Sequence, residues 1–349
     1  MPEVAVVILS WNGRQQLASF LPSVCRSTYP RLKIYVADNA STDDTVAFVR
    51  REFPQVHCIQ NDRNYGFAEG YNQALRQVRA AYYVLLNQDV EVEPGWLEPM
   101  IALMERYPRL AACQPKLRSY QQRAYFEYAG GAGGWIDALG YPFCRGRLFY
   151  TVEKDMHQYD DPMCLFWASG AALCIRAELF HAAGGFYGAF FAHMEEIDLC
   201  WRLQRMGYQI AYCPQAVVYH LGGGSLPQGN PQKTYLNYRN NLMMMARNLG
   251  RKARWQRIPM RMLLDLLSIV YGIAHRTPAE MLAILKAHRD FVRWYRQNRH
   301  SLPRHTCQPG ELQGYYPGSV IWQYFARGRK FFSALPLKTR PITLNLQEN

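Results

Sequence analysis

The sequence predicts an α/β fold: a mostly parallel central sheet flanked by helices, followed by a mainly helical C-terminal extension. Three observations carry that prediction. Through the first 113 residues, short Val/Ile/Leu/Tyr runs alternate with helix-like segments, the rhythm of a parallel sheet with helical crossovers. The runs are apolar on consecutive positions instead of every second one, as strands covered by helices on both faces require. Beyond them, residues 232–298 switch to a helical period with room for three helices.

The expected strands are residues 4–9, 32–37, 56–60, 82–86 and 110–113. Behind the first four stand polar clusters: Ser10-Trp11-Asn12-Gly13, Asp38-Asn39-Ala40-Ser41-Thr42-Asp43, Asn61-Asp62-Arg63-Asn64 and Asn87-Gln88-Asp89. In open α/β sheets ligands bind beyond the carboxyl ends of the strands, so these clusters should share one edge. No G-x-G-x-x-G or G-x-x-x-x-G-K-[ST] follows the first strand, which disfavours a dinucleotide-dependent dehydrogenase and a P-loop enzyme.

Residues 114–165 lose the periodicity and carry Gly130-Gly131-Ala132-Gly133-Gly134, Pro142 and many tyrosines. They are expected to form a long irregular insertion over the sheet edge. Regularity resumes with a strand over Ala172–Arg176, a helix over 177–183 closed by Gly184-Gly185, a helix over 195–206 and a strand over 216–220. The last fifty residues, rich in Pro and aromatics, show no element pattern. The chain accordingly divides into an α/β domain, 1–225, and a basic helical extension, 226–349.

Composition narrows the class. The 349 residues are 49% hydrophobic and 14% aromatic, a globular composition. Nine scattered cysteines with no C-x-x-C pair exclude a zinc ribbon or disulfide framework and read as reduced thiols of a cytosolic protein. The N-terminus has no basic leader or cleavage site. The longest apolar stretch, 262–274, is interrupted by Asp265 and falls short of the roughly 20 residues a spanning helix needs.

Charge is uneven: residues 1–224 hold 20 Lys+Arg against 22 Asp+Glu, while 225–349 hold 20 against 5, so the net +13 resides entirely in the C-terminal part. Such a tail calls for an anionic partner. No nucleic-acid motif is visible, and the cations Arg247, Arg251, Lys252, Arg254, Arg257 and Arg261 interleave with Met243, Met244, Met245, Leu263, Leu264 and Leu267. That mixture suits an anionic membrane surface, with the protein peripheral at the inner face of the cell membrane. A core-packing helix pair with solvated arginines is the alternative.

The segments Val6-Val7-Ile8-Leu9-Ser10-Trp11-Asn12, Val36-Ala37-Asp38-Asn39-Ala40-Ser41-Thr42-Asp43, Asn64-Tyr65-Gly66-Phe67-Ala68 with Asn72, and Leu85-Leu86-Asn87-Gln88-Asp89 come in a telling order. So do Glu195-Glu196-Ile197-Asp198 and Tyr219-His220-Leu221-Gly222-Gly223 further on. Together they resemble the family 2 inverting glycosyltransferases of GT-A fold, and most closely the rhamnosyltransferase-like members. The resemblance covers about residues 4–250.

It implies transfer of a sugar from a nucleotide-diphosphate donor, UDP- or dTDP-linked, to a glycan or lipid-linked acceptor in cell-envelope polysaccharide synthesis. Donor contacts would come from Ser10, Asn12, Asp38, Asn64, Gly66, Asn72 and Asn87, with Asp38 accepting a hydrogen bond from the pyrimidine. Asp89 and His220 would ligate a divalent cation, Mn²⁺ or Mg²⁺. Glu196 would be the base, with Glu195 its neighbour. The family usually carries D-x-D where this chain has Asn87-Gln88-Asp89, so one acid is an amide. A nucleotide-sugar-binding protein without turnover is the alternative function.

Each residue also has a plainer reading. Asp38 suits an Asx turn, Asp89 a strand-end turn and His220 a structural histidine. Glu195, Glu196 and Asp198 suit the positive end of a helix dipole, and Gly66 and Asn72 ordinary helix packing.

Overall fold

A computed structural model of the chain describes residues 1–222, 230–272, 278–304 and 311–337. Strands β1 (Val4–Ser10), β2 (Leu32–Asp38), β3 (His57–Gln60) and β4 (Tyr82–Asn87) run parallel, joined by α1 (Arg14–Cys25), α2 (Thr45–Glu52) and α3 (Gly66–Leu75). Alternate residues of β1 enter different cores. Val4, Val6 and Ile8 join the apolar cluster on one face of the sheet, and Ala5 and Val7 the cluster on the other. That two-sided burial is why the runs are continuously apolar.

The sheet continues through β5 (Val90–Val92), β6 (Leu110–Ser119) after α4 (Leu97–Arg106), β11 (Met163–Leu165), β12 (Ala172–Arg176) and β13 (Gln209–His220). Its order is β11-β13-β6-β12-β4-β1-β2-β3, with β5 paired to β13. The 110–113 run is therefore not the parallel neighbour of the 82–86 run. Antiparallel β12 lies between them, Ala172 facing Leu86 and Cys174 facing Cys113. An apolar run reports that a strand exists, not which strand it pairs with.

Residues 114–165 are not irregular. They finish β6 and form a second, small sheet of β7 (Gly134–Asp137), β8 (Pro142–Cys144), β9 (Arg147–Leu148) and β10 (Thr151–Val152) before β11. Strands of two to four residues are too short to show a period. The last fifty residues contribute β14 (Tyr315–Tyr316), which pairs in parallel with β7. The ring of Phe332 then packs on Trp135, Phe143 and Tyr159 with centroids 5.3, 6.2 and 5.9 Å apart.

After β12 come α5 (Ala177–Ala182) and α6 (Glu195–Arg205), and after β13 the helices α7 (Pro231–Asn248), α8 (Arg251–Gly272) and α9 (Pro278–Asn298). Buried Asp198 ties α6 to α7 by accepting hydrogen bonds from Arg202, Arg247 and Asn248 at 2.8, 3.1 and 2.8 Å. Buried Asp265 of α8 takes Arg261 and lies 3.3 Å from His288 of α9. The methionines Met243, Met244 and Met245 are core residues of α7, and Arg254 and Arg261 are buried as well. These five, expected at a lipid surface, face the protein interior. Of the cysteines, eight are described and free, six of them buried; Cys307 lies outside the described residues. Among the described residues no helix is long and apolar enough to cross a membrane. Gly223 and Gly224, and the expected division after residue 225, lie outside the described residues.

Candidate active site

Parallel register places Ser10 opposite Asp38, Leu9 opposite Asn87 and Asp38 opposite Gln60, so the polar clusters do share one rim. Along it, Asn39 organises the loops. Its amide donates to Asn64 Oδ1 and the Gly66 carbonyl, both at 2.9 Å, and its carbonyl accepts from Asn61 and the Tyr65 amide. Asn12 Oδ1 accepts from the Thr42 amide at 2.8 Å, closing β1's loop on β2's. Asp38 uses one carboxylate oxygen on the Ser41 amide, at 3.1 Å. Its other oxygen, with Ser10 Oγ and Gln88 Oε1, is buried without a protein partner. Buried polar atoms normally find partners, so three orphans on one rim point to a polar ligand.

Gly66 and Asn72 are placed differently. Gly66 sits at φ +74°, and a Cβ there would lie 2.4 Å from the Phe191 ring, so its open side is filled by that residue. The α3 amides of Phe67 and Ala68 both donate to the Phe191 carbonyl. Asn72 grips the Phe186 backbone, donating and accepting at 2.9 Å. Both residues hold the 184–194 loop against α3.

On the other side of Asn87, the chain turns through Asp89 into β5, whose pairing with the end of β13 sets Val90 opposite His220. Two distant segments thus converge. His220 Nε2 lies 3.2 Å from Asp89 Oδ1 and 3.3 Å from Asn87 Nδ2, while Nδ1 lies 3.3 Å from Glu127 Oε1. All but Asn87 are buried. Burial disfavours charge on the imidazole, but Glu127 and Asp89 outweigh it and push its pKa up to about 10. Burial likewise opposes ionisation of Asp89, yet His220 and the Gly222 amide hold its carboxyl below the usual range.

A carboxylate oxygen and an imidazole nitrogen converging beside an amide, with a second carboxylate behind the imidazole, fit a divalent cation. The imidazole suits Mn²⁺ better than Mg²⁺. Glu127 is the residue sequence reasoning missed; its only signal was an isolated acid among aromatics at Phe126-Glu127-Tyr128. Asp155, His157 and Asp160 form another grouping, with ligand atoms within 4.8 Å of one another. There Asp155 already holds Lys116 at 3.0 Å and Arg118 at 2.8 Å.

Glu195 and Glu196 open α6 behind a contorted loop in which Phe191, His193 and Met194 have φ of 66°, 72° and 75°. Such conformations are strained for non-glycine residues and persist only when their surroundings enforce them. Asn240 of α7, fully buried, supplies the enforcement. Its amide donates to the carbonyls of Phe190, Ala192 and His193 at 2.9, 2.8 and 2.9 Å. Arg239 adds bonds to Ala189 and Phe190. Glu195 is buried, and that burial, with the neighbouring Glu196, raises its carboxyl well above the ordinary range. Glu196 is partly exposed; desolvation lifts it to about 7 against the amides of Glu196, Ile197 and Gly170. One oxygen of each carboxyl has no protein partner. Because the Asn87 amide donates to the Ala171 carbonyl at 3.0 Å, the Gly170 contact sets Glu196 close to the end of β4.

Residues 5–166 match the family model for glycosyl transferase family 2. That segment is a glycosyl transferase family 2 domain. This glycosyltransferase is 24% identical over 270 residues to the N-acetylglucosaminyl-diphospho-decaprenol L-rhamnosyltransferase of Mycobacterium tuberculosis, covering 73% of this chain and 87% of that protein. Among solved structures it is similar to the mannosyltransferase PcManGT of Pyrobaculum calidifontis, in complex with GDP-Man and Mn²⁺. The TM-score is 0.53 at 16% identity, over 86% of this chain and 84% of that one. S. aureus TarS in complex with UDP-GlcNAc superimposes with a TM-score of 0.55 at 15% identity, over 86% and 84% of the two chains. The glycosyltransferase therefore has the GT-A fold, and helices α7 to α9 follow its last strand in the chain.

Proposed function

We propose that this glycosyltransferase moves a sugar from a UDP- or dTDP-linked donor to a lipid-linked acceptor, inverting the anomeric centre, at an anionic membrane surface. The observation that carries the reading is the placement of two different chemistries around the end of β4. The Asp89–His220 pair and Glu196 both adjoin Asn87, the imidazole at 3.3 Å from its side chain and Glu196 reached through Ala171 and Gly170. The two relatives named for polyprenyl-linked acceptors, the mycobacterial rhamnosyltransferase and an Escherichia coli glucosyltransferase acting on GlcNAc-diphosphoundecaprenol, support the acceptor class.

Asp38 and Ser10, with their orphaned oxygens, would receive the nucleoside, and Asn87 a ribose hydroxyl. Asp89 and His220 would hold a divalent cation, with Glu127 orienting the imidazole. Bound there, a divalent cation neutralises the diphosphate leaving group. Glu196, half ionised near neutrality, would accept the proton of the attacking acceptor hydroxyl. A single displacement of this kind needs no enzyme nucleophile. The protein is best divided into a catalytic unit up to about residue 225 and a basic extension that seats it on the membrane.

The experiment is a transfer screen across UDP-, dTDP- and GDP-sugars, with and without Mn²⁺, using GlcNAc-diphospho-lipid as acceptor. Metal-dependent glycosylation with a UDP- or dTDP-sugar supports the reading. Tight donor binding with no transfer or hydrolysis would favour a binding protein instead.

A further inference from the structure

The helices α8 and α9 pack antiparallel. The Arg251 amide donates to the Arg304 carbonyl, and Asp265 reaches His288, so the end of α8 lies beside the start of α9. The exposed face of α8 is an apolar stripe at helical spacing: Trp255, Pro259, Leu263 and Leu267, with Leu263 51% and Leu267 54% exposed. On α9 the exposed face begins apolar, with Leu282 65% and Leu285 49% exposed, and becomes cationic through Lys286, Arg289, Arg293 and Arg296. A groove of about 580 Å³ is lined by Met262 of α8 and by His288, Val292 and those three arginines of α9.

The apolar end also has a defined direction. Thr234 in the first turn of α7 donates to Glu280 in the first turn of α9 at 3.5 Å, while Arg247 at α7's far end stacks on Tyr187, the partner of Trp294. Helices α7 and α9 are thus parallel, with their N-terminal ends together. The exposed leucines Leu282 and Leu285 therefore lie at the end of the helical layer where α7 begins, the helix that follows His220 in the chain.

We infer that the α8–α9 pair is the face that seats this enzyme on an anionic phospholipid bilayer. Leu263, Leu267, Leu282 and Leu285 enter the acyl boundary, and Arg289, Arg293 and Arg296 meet the phosphate headgroups. This rests on the proposed membrane surface and assigns it to particular residues. Exposed leucines in water are unfavourable, and leucines flanked by arginines match an interface that is apolar below and anionic above. The orientation would bring a lipid-linked acceptor to the catalytic rim without leaving the membrane.

The test is co-sedimentation of the full chain with phosphatidylcholine vesicles, plain or enriched in phosphatidylglycerol. Three variants accompany it: Leu263→Ser/Leu267→Ser/Leu282→Ser, Arg289→Gln/Arg293→Gln/Arg296→Gln, and a control, Arg51→Gln/Arg76→Gln/Arg79→Gln. The wild type and control are expected to pellet with anionic vesicles in a salt-sensitive manner. The arginine variant should bind roughly a hundredfold more weakly, and the leucine variant should lose binding while keeping wild-type turnover on a water-soluble acceptor. If the wild type binds but both face variants bind equally well, the membrane reading stands and this face is wrong. If the wild type binds no vesicle, the membrane reading falls and the assignment with it. A wild-type dimer that the leucine changes dissociate, with vesicle binding intact, would make the face a contact between copies and overturn the proposal.

Discussion

The imidazole of His220 lies 3.2 Å from the carboxylate of Asp89, brought there by the pairing of β5 with the end of β13. Both residues are buried but belong to neither apolar cluster, so each variant is read alongside its melting temperature. Asp89→Ala is expected to abolish transfer and divalent-dependent donor binding. His220→Ala should lose less, with activity recovering at higher Mn²⁺. Full activity of Asp89→Ala in the presence of EDTA would remove the metal site from the mechanism.

Behind the imidazole, Glu127 Oε1 lies 3.3 Å from Nδ1. A carboxylate in this position orients a ligating histidine and raises its basicity, and losing one typically costs 10–100-fold in metal affinity. Glu127→Gln should therefore raise the Mn²⁺ concentration for half-maximal activity by roughly that factor. The turnover at saturating metal should stay near wild type. An unchanged metal requirement would make Glu127 purely structural.

Glu196 has its carboxyl raised to about 7 by burial. Only the ionised form accepts a proton, so turnover should climb with pH and level off above about 7. Glu196→Gln should lower turnover by roughly 10²–10⁴-fold with donor affinity little changed. A larger defect in Glu195→Gln than in Glu196→Gln would shift the base to Glu195.

The same pair makes a statement about stability. Burial raises both carboxyls above the ordinary value of 4.5, so the folded protein holds protons that the unfolded chain releases. Stability from this source is fullest below about 4.5 and is lost as pH rises through the folded values. The melting temperature should consequently fall between about pH 5 and pH 8, and Glu195→Gln should reduce that fall by at least roughly 2 °C. Parallel curves for the two proteins would mean that Glu195 is ionised in the folded state.

The central sheet was legible because β1, β2 and β4 bury both faces and each strand hands on to a polar loop. Asp38, Asp89, Glu196 and His220 stood out by their order, and the fold draws Asp89 to His220. Other features have no local trace in a sequence. β12 lies antiparallel between β4 and β6 through pairings that only the folded chain makes. The small sheet hides in strands too short to show a period. Arg254 and Arg261 read as surface cations, yet Arg254 donates to the Ala246 carbonyl and Arg261 pairs with Asp265 in the interior. Charge alone does not report burial once a partner is present.

Asn240 is the most instructive of the residues that were not legible, because its role is to hold backbone. Its single amide group meets three carbonyls of the loop that leads into Glu195 and Glu196, a loop with three non-glycine residues at positive φ. Each such residue costs on the order of 1–3 kcal/mol, which the bonds from Asn240 and Arg239 help to offset. Without them the loop should relax, and the environment that raises Glu196 should become wetter. For Asn240→Ala we expect turnover to fall roughly 10–100-fold with donor KM little changed, the pattern of a positioning residue. The decisive readout is the pH profile. Its ascending limb should move below about 7, towards the ordinary carboxylate range, as desolvation of Glu196 is lost. A variant with lowered Tm but the wild-type pH limb would show that Asn240 supports the fold without tuning the base.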